Sequence, residues 1–186
     1  MRAGFADPVL GAQSAFRAAM EATARPGSIQ ALPVLPDAPP GLDLAAAALL
    51  LALADDTTPL WTAAGAEARG WLAFHCGAPF ALPAAAAFLL GPPPPLATLG
   101  LGSDEAPQDG ATLLLPVAAL EDDGPLLLRG PGIRGERRLG VAGLPEGFWA
   151  ARAALAPLAP RGLDVFLCCG ARLAALPRST RVTEAG

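Results

Sequence analysis

A short segment near the C-terminus places a guanidinium group beside two hydroxyl groups. The segment reads PRST over residues 177–180, with Arg178 as its second residue. Arginine binds phosphate and carboxylate groups through parallel N–H donors, and hydroxyls add further donors. The pattern therefore indicates an anion-binding group. The alternative is an edge segment that uses the arginine in a surface or interchain ion pair.

A carboxylate in an apolar segment is the natural partner for that arginine. Asp164 lies between Leu163 and Val165, so its side chain is expected to be half buried. A half-buried carboxylate needs a compensating partner, and Arg178 is a suitable one. We therefore treat Asp164 and Arg178 as candidate ligand-binding residues, whether the pair is structural or functional.

The glycine-rich segment GPGIRG at residues 130–135 is a second candidate anion site. Backbone donors around Gly130 and Gly132, together with Arg134, have the chemistry to wrap a phosphate. Pro131 removes one of those donors, and no dinucleotide-binding fingerprint surrounds the segment. The alternative is a tight structural turn.

The single histidine, His75, is the candidate catalytic residue. Imidazole titrates near neutral pH, so His75 has the chemistry of a general base or a metal ligand. The alternative is a histidine bonded to backbone at the end of a strand. A zinc site would require Cys76, Cys168 and Cys169 to converge on it. The side chains of adjacent residues in a strand point to opposite faces, so Cys168 and Cys169 are not expected to bind the same metal ion.

Composition excludes several classes of chemistry. The chain has 186 residues, a net charge of −4, and neither lysine nor tyrosine. Without an amine side chain, neither a Walker-type phosphate loop nor a Schiff-base cofactor site can form. The acidic balance disfavours nucleic acid as a partner, because phosphate neutralisation needs a basic surface.

The chain is expected to be one compact cytoplasmic domain without cofactor or metal. Three cysteines form no disulfide framework, and 53% of the residues are apolar. The N-terminus lacks the apolar core of a signal peptide, and the longest apolar run, residues 44–54, is shorter than the roughly 20 residues that span a bilayer.

The candidate residues must be positioned by the helices and strands of the chain. Helical and strand-like segments alternate along the sequence, which predicts an α/β domain. Helices are expected at 10–24, 44–54 and 145–155, with Asp43 capping the second. Strands are expected at 29–35, 60–63, 111–115 and 126–129, with an acidic turn at 121–124 between the last two. Residues 66–75 are expected to pass from helix to strand, and residues 163–169 and 173–176 to form a hairpin.

The first helix carries an apolar stripe that ends at a proline–glycine pair. Phe16, Met20 and Ala24 are spaced four residues apart, so they share one helical face. Pro26 and Gly27 then stop the helix. The spacing predicts that this stripe packs into the core.

Six motifs occur in a fixed order along the chain. They are FRAAMEATARPGS at 16–28, LLLALADDTTPLW at 49–61, FHCGAP at 74–79, GATLLL at 110–115, LRGPGI at 128–133 and GLDVFLCCGARLAALPRSTRV at 162–182. Together they strongly resemble the motifs of the PhnH family, whose members are subunits of the bacterial carbon–phosphorus lyase system. The resemblance extends over about residues 5–182.

The resemblance implies a fold, partners and a pathway. It implies a three-layer α/β/α arrangement with a mixed sheet, as in the transferases that depend on pyridoxal phosphate, but without that cofactor. It implies a homodimer and membership of a core complex with PhnG, PhnI and PhnJ. The complex makes α-D-ribose 1-methylphosphonate 5-triphosphate from ATP and methylphosphonate, and PhnI is its expected catalytic component.

One segment departs from the family pattern. Relatives typically carry Phe-Pro-Leu-Gly where this chain has Ala-Pro-Arg-Gly at residues 159–162. The leading hypothesis is a supporting subunit of the lyase system that is inactive alone. The alternatives are a catalytic subunit that uses His75, and a phosphonate- or nucleotide-binding module.

Overall fold

The computed structural model describes residues 2–184, in which four α-helices and nine strands are found. The helices are α1 (Pro8–Ala24), α2 (Leu44–Leu53), α3 (Ala66–Cys76) and α4 (Phe148–Ala153). The strands are β1 (Gln30–Ala31), β2 (Leu60–Thr62), β3 (Phe88–Leu90), β4 (Thr112–Pro116), β5 (Ala119–Arg129), β6 (Arg137–Ala142), β7 (Asp164–Cys169), β8 (Arg172–Leu176) and β9 (Arg181–Glu184).

The strands form two sheets. The larger has the order β1-β8-β7-β4-β3-β2, in which β2, β3, β4 and β7 are parallel and β8 is antiparallel to both of its neighbours, β7 and β1. The smaller is antiparallel, with the order β6-β5-β9. A mixed sheet combined with helices confirms the predicted α/β class.

The two faces of the large sheet are covered by two apolar cores. One core joins α1, α2 and α3 to side chains such as Leu114 and Phe166. The other joins the opposite face, including Leu113 and Val165, to the small sheet and to α4. Alternate residues of each strand thus enter different cores, as the pleat of a strand requires.

The second helix is buried on most of its surface, as its uniform apolar composition predicts. Residues 45–50 are all buried. Asp43 caps it, because its Oδ1 accepts from the backbone N–H of Ala45 at 2.9 Å and of Ala46 at 3.1 Å. Its Oδ2 also accepts from the N–H of Gly170 at 2.7 Å, which ties the helix to the β7–β8 hairpin.

The orientation of α1 differs from the prediction. The buried face of this helix consists of small residues, namely Gly11, Ala15, Ala18, Ala19 and Ala22. The side chains of Phe16 and Met20 are instead 48% and 57% exposed. Small residues allow α1 to lie close against the alanine-rich α2, so the predicted stripe faces outward.

Two further expectations are corrected, and two strands were not anticipated. Residues 121–124 do not form a turn but lie inside the long strand β5, where a register shift accommodates them. Residues 66–75 all lie in one helix, α3, which ends at Cys76 and is followed by Gly77 with φ of 66°. Strands β6 and β9 were not predicted, because their polar and glycine-containing sequences carry little apolar alternation.

Within residues 2–184, no helix is both long enough and apolar enough to cross a membrane.

Candidate functional site

Among the described residues, none that lines the cleft at the carboxyl ends of β3 and β4 has an ionisable or hydroxyl side chain. Ligands of open α/β sheets usually bind at the carboxyl ends of parallel strands. Here that cleft is lined by Gly91, Pro92, Pro93, Leu115, Pro116, Gly143, Leu144 and Pro145. The groups suited to chemistry lie at the opposite edge of the sheet, where β7 begins and β8 ends.

The predicted pair of Asp164 and Arg178 is present at that edge. Asp164 begins β7, and its Oδ1 accepts from the backbone N–H of Arg178 at 2.7 Å. Its Oδ2 accepts from Arg178 Nη2 at 2.5 Å, and Nε lies 3.3 Å from both oxygens. The carboxylate thus holds both the backbone and the side chain of Arg178. Its remaining nitrogen, Nη1, is buried without a hydrogen-bond partner in residues 2–184.

A second arginine lies beside this pair and was not singled out from the sequence. Arg152 on α4 is only 9% exposed. Its Nη1 donates to the carbonyl of Thr180 at 2.8 Å, and its Nη2 donates to the carbonyls of Pro177 at 2.8 Å and Leu176 at 3.2 Å. It therefore holds the connection between β8 and β9. Burial lowers the pKa of Arg152 to about 10, and the charge of Asp164 opposes that shift, so the guanidinium is cationic at neutral pH.

A signal for Arg152 exists in the sequence. The residue follows Phe148 by four positions and precedes Leu155 by three, so all three share one helical face. Phe148 and Leu155 are both buried. An arginine at the centre of an apolar helical face is a buried cation, and such residues are candidates for anion binding.

Together these residues line a cleft of about 220 Å³, which we call the arginine cleft. It is lined by Trp149, Arg152, Ala153, Leu155, Ala156, Ala159, Arg161, Gly162, Leu163, Arg178, Thr180, Arg181, Val182 and Thr183. Four of these side chains are arginines and none is a carboxylate. The cleft therefore combines a positive charge with apolar walls.

The PRST segment contributes to two neighbouring depressions. Thr180 lines the arginine cleft, whereas Ser179 lines a separate depression with Gln108 and Pro160. Arg178 borders both. The two hydroxyl groups that the sequence placed together are thus directed to different surfaces. Only that of Thr180 is buried, with its Oγ1 unpaired in residues 2–184.

The segment that departs from the family pattern borders the same cleft. Ala159 and Arg161 both belong to its lining. Arg161 Nε lies 3.2 Å from Asp104 Oδ1, and the side chain of Asp104 is 70% exposed. Ala159 contributes only a methyl group to the lining, whereas Arg161 adds a positive charge.

The glycine-rich segment at 130–135 connects β5 to β6 and lies outside the cleft lining. A Cβ on Gly132, whose φ is +81°, would lie 2.4 Å from the carbonyl oxygen of Ala24. A Cβ on Gly130 would lie 3.0 Å from the carbonyl oxygen of Ser179. Arg134 is exposed. The geometry is that of a turn against which the end of α1 and the β8–β9 connection pack.

His75 is placed away from the cleft, in the last turn of α3 and next to the other core. Its Nε2 is 2.9 Å from the carbonyl oxygen of Arg2, which also accepts from Trp71 Nε1 at 3.1 Å. Its ring centroid is 4.6 Å from that of Trp71. The structure therefore does not bring His75 together with Arg178 and Asp164.

The cysteines occupy separate environments. Cys168 packs in the core with α1 and α2, whereas Cys169 packs against the other core, which confirms that their side chains point to opposite faces. Burial raises the pKa of Cys76 to about 11 and raises that of Cys168. Within residues 2–184, no three His, Cys, Asp or Glu side chains group as metal ligands would.

The fold and the site define an α/β protein with a small, cationic, partly apolar cleft at the amino edge of its parallel strands. Comparison with known proteins is more specific. Residues 3–183 match the family model described as bacterial phosphonate metabolism protein (PhnH), so the chain belongs to the PhnH family.

Two relatives resemble the chain along nearly its whole length. One is named alpha-D-ribose 1-methylphosphonate 5-triphosphate synthase subunit PhnH, from Rhizobium meliloti (strain 1021), and is 39% identical over 96% of this chain and 93% of its own length. The other is named putative C-P lyase subunit protein HtxG, from Stutzerimonas stutzeri, and is 35% identical over 94% of this chain and 87% of its own.

Proposed function

We propose that the chain is a subunit of the enzyme assembly that makes α-D-ribose 1-methylphosphonate 5-triphosphate from ATP and methylphosphonate. The observation that carries the proposal is the end-to-end match, at 39% identity, to a protein named as a subunit of that synthase. The match covers 96% of this chain and 93% of the relative.

In this proposal the chain supports the reaction and is inactive alone. The histidine and the two buried thiols, which are groups that act as bases or nucleophiles in other enzymes, are engaged or protonated here. His75 is held by a backbone carbonyl, and the raised pKa values of Cys76 and Cys168 keep both thiols protonated at neutral pH. A chain without lysine or tyrosine offers no amine or phenol in their place.

The partners that we propose are PhnG, PhnI and PhnJ, with a second copy of the chain forming a homodimer. An exposed apolar row on α1 supports contact with another subunit of the assembly. Val9, Phe16 and Met20 lie along this helix with 65%, 48% and 57% exposure. Clustered exposed apolar side chains are typical of interaction surfaces.

Three further expectations accompany this role. We propose a single domain, because the two cores lie on opposite faces of one sheet. We also propose a cytoplasmic location and the α/β/α likeness to pyridoxal-phosphate-dependent transferases, each of which stays a prediction.

The test is reconstitution with and without the chain. PhnG, PhnI and PhnJ from the same host would be purified together, and formation of the triphosphate product from ATP and methylphosphonate would be followed by 31P NMR. We expect product only when the chain is added, and none with the chain alone. Full activity without it, or turnover by the chain alone, would overturn the proposal.

A further inference from the structure

We propose that the arginine cleft binds a tetrahedral phosphorus oxyanion that carries a short apolar substituent. The anionic character of this ligand follows from the cleft itself. The choice of an alkylphosphonate over other such anions rests on the proposed function.

The positive charge around the cleft is only partly balanced by protein groups. Asp164 neutralises Arg178, and Asp104 lies beside Arg161, but neither carboxylate lines the cleft. Arg152 donates only to neutral carbonyl oxygens, and Arg181 has no ion pair in residues 2–184. Four guanidinium groups therefore line the cleft, with only two carboxylates beside them, so a bound anion would be stabilised by the excess positive charge.

Three residues that line the cleft carry unpaired buried donors. Arg178 Nη1, Arg152 Nε and Thr180 Oγ1 are all buried without a hydrogen-bond partner in residues 2–184. Thr180 is 2% exposed and Arg152 is 9% exposed. Buried polar groups are nearly always paired, and each exception calls for an explanation. The three oxygens of a phosphonate would supply acceptors for such donors.

The remaining walls fit a small apolar group. Leu155, Leu163, Val182 and Trp149 contribute to the lining. The volume of about 220 Å³ is below the range of roughly 300–1,000 Å³ that holds drug-sized ligands. One oxyanion with a short alkyl chain fits this space, whereas a complete nucleoside triphosphate does not.

The experiment is calorimetry on the purified full-length chain with methylphosphonate, inorganic phosphate, ATP and acetate as separate ligands. We expect methylphosphonate to bind with a dissociation constant between about 1 µM and 1 mM, the usual range for substrates. Phosphate should bind about threefold to fivefold more weakly, since it lacks one buried methyl group. ATP or acetate binding as tightly as methylphosphonate would overturn the proposal.

Two variants with matched controls locate the binding. Thr180→Val should weaken methylphosphonate binding at least about tenfold, because it removes a donor to a charged ligand. Its melting temperature should not fall, since the hydroxyl has no partner in residues 2–184. Thr62→Val, which alters another buried threonine outside the cleft, should leave binding unchanged. Arg181→Gln should weaken binding and Arg17→Gln should not, although both remove one exposed positive charge.

The outcomes separate this inference from the proposed function. If the chain restores product formation in the reconstituted assembly but binds no methylphosphonate, the inference is wrong and the function stands. Binding without restoration contradicts the function alone. Binding that Thr180→Val leaves unchanged places the ligand elsewhere and overturns the inference.

Discussion

At the residue scale, the negative charge of Asp164 compensates the positive charges of two neighbouring arginines. It accepts from the backbone and side chain of Arg178, and its charge also reaches Arg152. The side chain of Asp164 is 32% exposed and that of Arg178 is 18% exposed. The pair is therefore partly desolvated, and the loss of one partner costs more than it would at the surface.

Replacing Asp164 by asparagine tests this compensation. We expect Asp164→Asn to lower the free energy of unfolding by about 1–2 kcal/mol, since an amide accepts more weakly and leaves both cations unbalanced. The matched control is Glu136→Gln, which removes an exposed partner of Arg129 and should cost no more than about 0.5 kcal/mol. Urea unfolding measures both. Equal losses would show that the Asp164 pair is an ordinary surface contact.

The thiols provide a second prediction at this scale. Thiolate is the reactive form, and the pKa of Cys76 is raised to about 11 by burial. At pH 8 iodoacetamide should therefore alkylate the partly exposed Cys169 and spare Cys76 and Cys168. The thiolate fraction grows with pH, so alkylation of Cys76 should rise as the pH approaches 11 in the folded protein.

Peptide mass mapping measures this selectivity. The same reaction in concentrated urea should label all three cysteines and serves as the control. Cys76 reacting as fast as Cys169 at pH 8 would contradict the burial described here.

At the scale of elements, the end of α1 and the β5–β6 turn require glycine at their contact. Gly132 has φ of +81°, and a Cβ there would meet the carbonyl oxygen of Ala24 at 2.4 Å. Gly135 in the same turn has φ of +72°, but a Cβ there would meet no other atom of residues 2–184 within 4 Å. An alanine at either position would therefore have a strained backbone, but only an alanine at Gly132 would also meet a neighbouring segment.

This difference predicts unequal effects of alanine. Gly135→Ala should cost about 1–2 kcal/mol through backbone strain alone. Gly132→Ala should cost about 1–3 kcal/mol more, because the α1 terminus must also shift. Thermal and urea unfolding of the two variants test the prediction. A similar loss of stability at both positions would contradict this, because it would mean that the end of α1 can shift without lowering the free energy of unfolding.

The caps of α1 and α2 offer a similar comparison. Asp7 caps α1 through the N–H groups of Val9 and Leu10, both at 3.0 Å. Asp43 caps α2 and additionally accepts from Gly170. Asp7→Ala should cost about 1 kcal/mol, and Asp43→Ala about 1 kcal/mol more, because a hydrogen bond between elements is also lost. Equal losses in urea unfolding would show that the Gly170 contact adds nothing.

At the scale of the whole molecule, we expect the outward face of α1 to contribute to assembly with other subunits and not to the stability of the fold. Phe16 and Met20 are exposed, so the double variant Phe16→Glu, Met20→Glu should change the free energy of unfolding by less than about 0.5 kcal/mol. In the proposed assembly the same variant should no longer copurify with PhnG, PhnI and PhnJ, because two charges would enter an apolar contact.

A matched control comes from another helix. Phe74 on α3 is 69% exposed, and Phe74→Glu should leave copurification unchanged. Light scattering of the isolated chain would test the predicted homodimer in parallel. Normal recovery of the double variant with the other subunits would exclude α1 as the docking surface.

Several features could be predicted because they depend on neighbours in the chain. The Asp43 cap, the burial of α2 and the β7–β8 hairpin each follow from residues within a few positions of one another. The pairing of Asp164 with Arg178 was also predicted, because a half-buried carboxylate in an apolar strand needs a cation. The motif order predicted the PhnH family, and the family model confirms it.

The sequence by itself determined the α/β class, the family and the exclusion of Schiff-base chemistry, since composition and local periodicity do not depend on how the chain closes. Only the tertiary structure decided which face of α1 is buried, that β5, β6 and β9 form a second sheet, and that Arg152 joins Arg178 while His75 does not. These outcomes depend on contacts between distant segments. Small residues allow two helices to pack closely, so the more hydrophobic face of a helix is not always the buried one. The pairing of strands determines which distant side chains share a cleft.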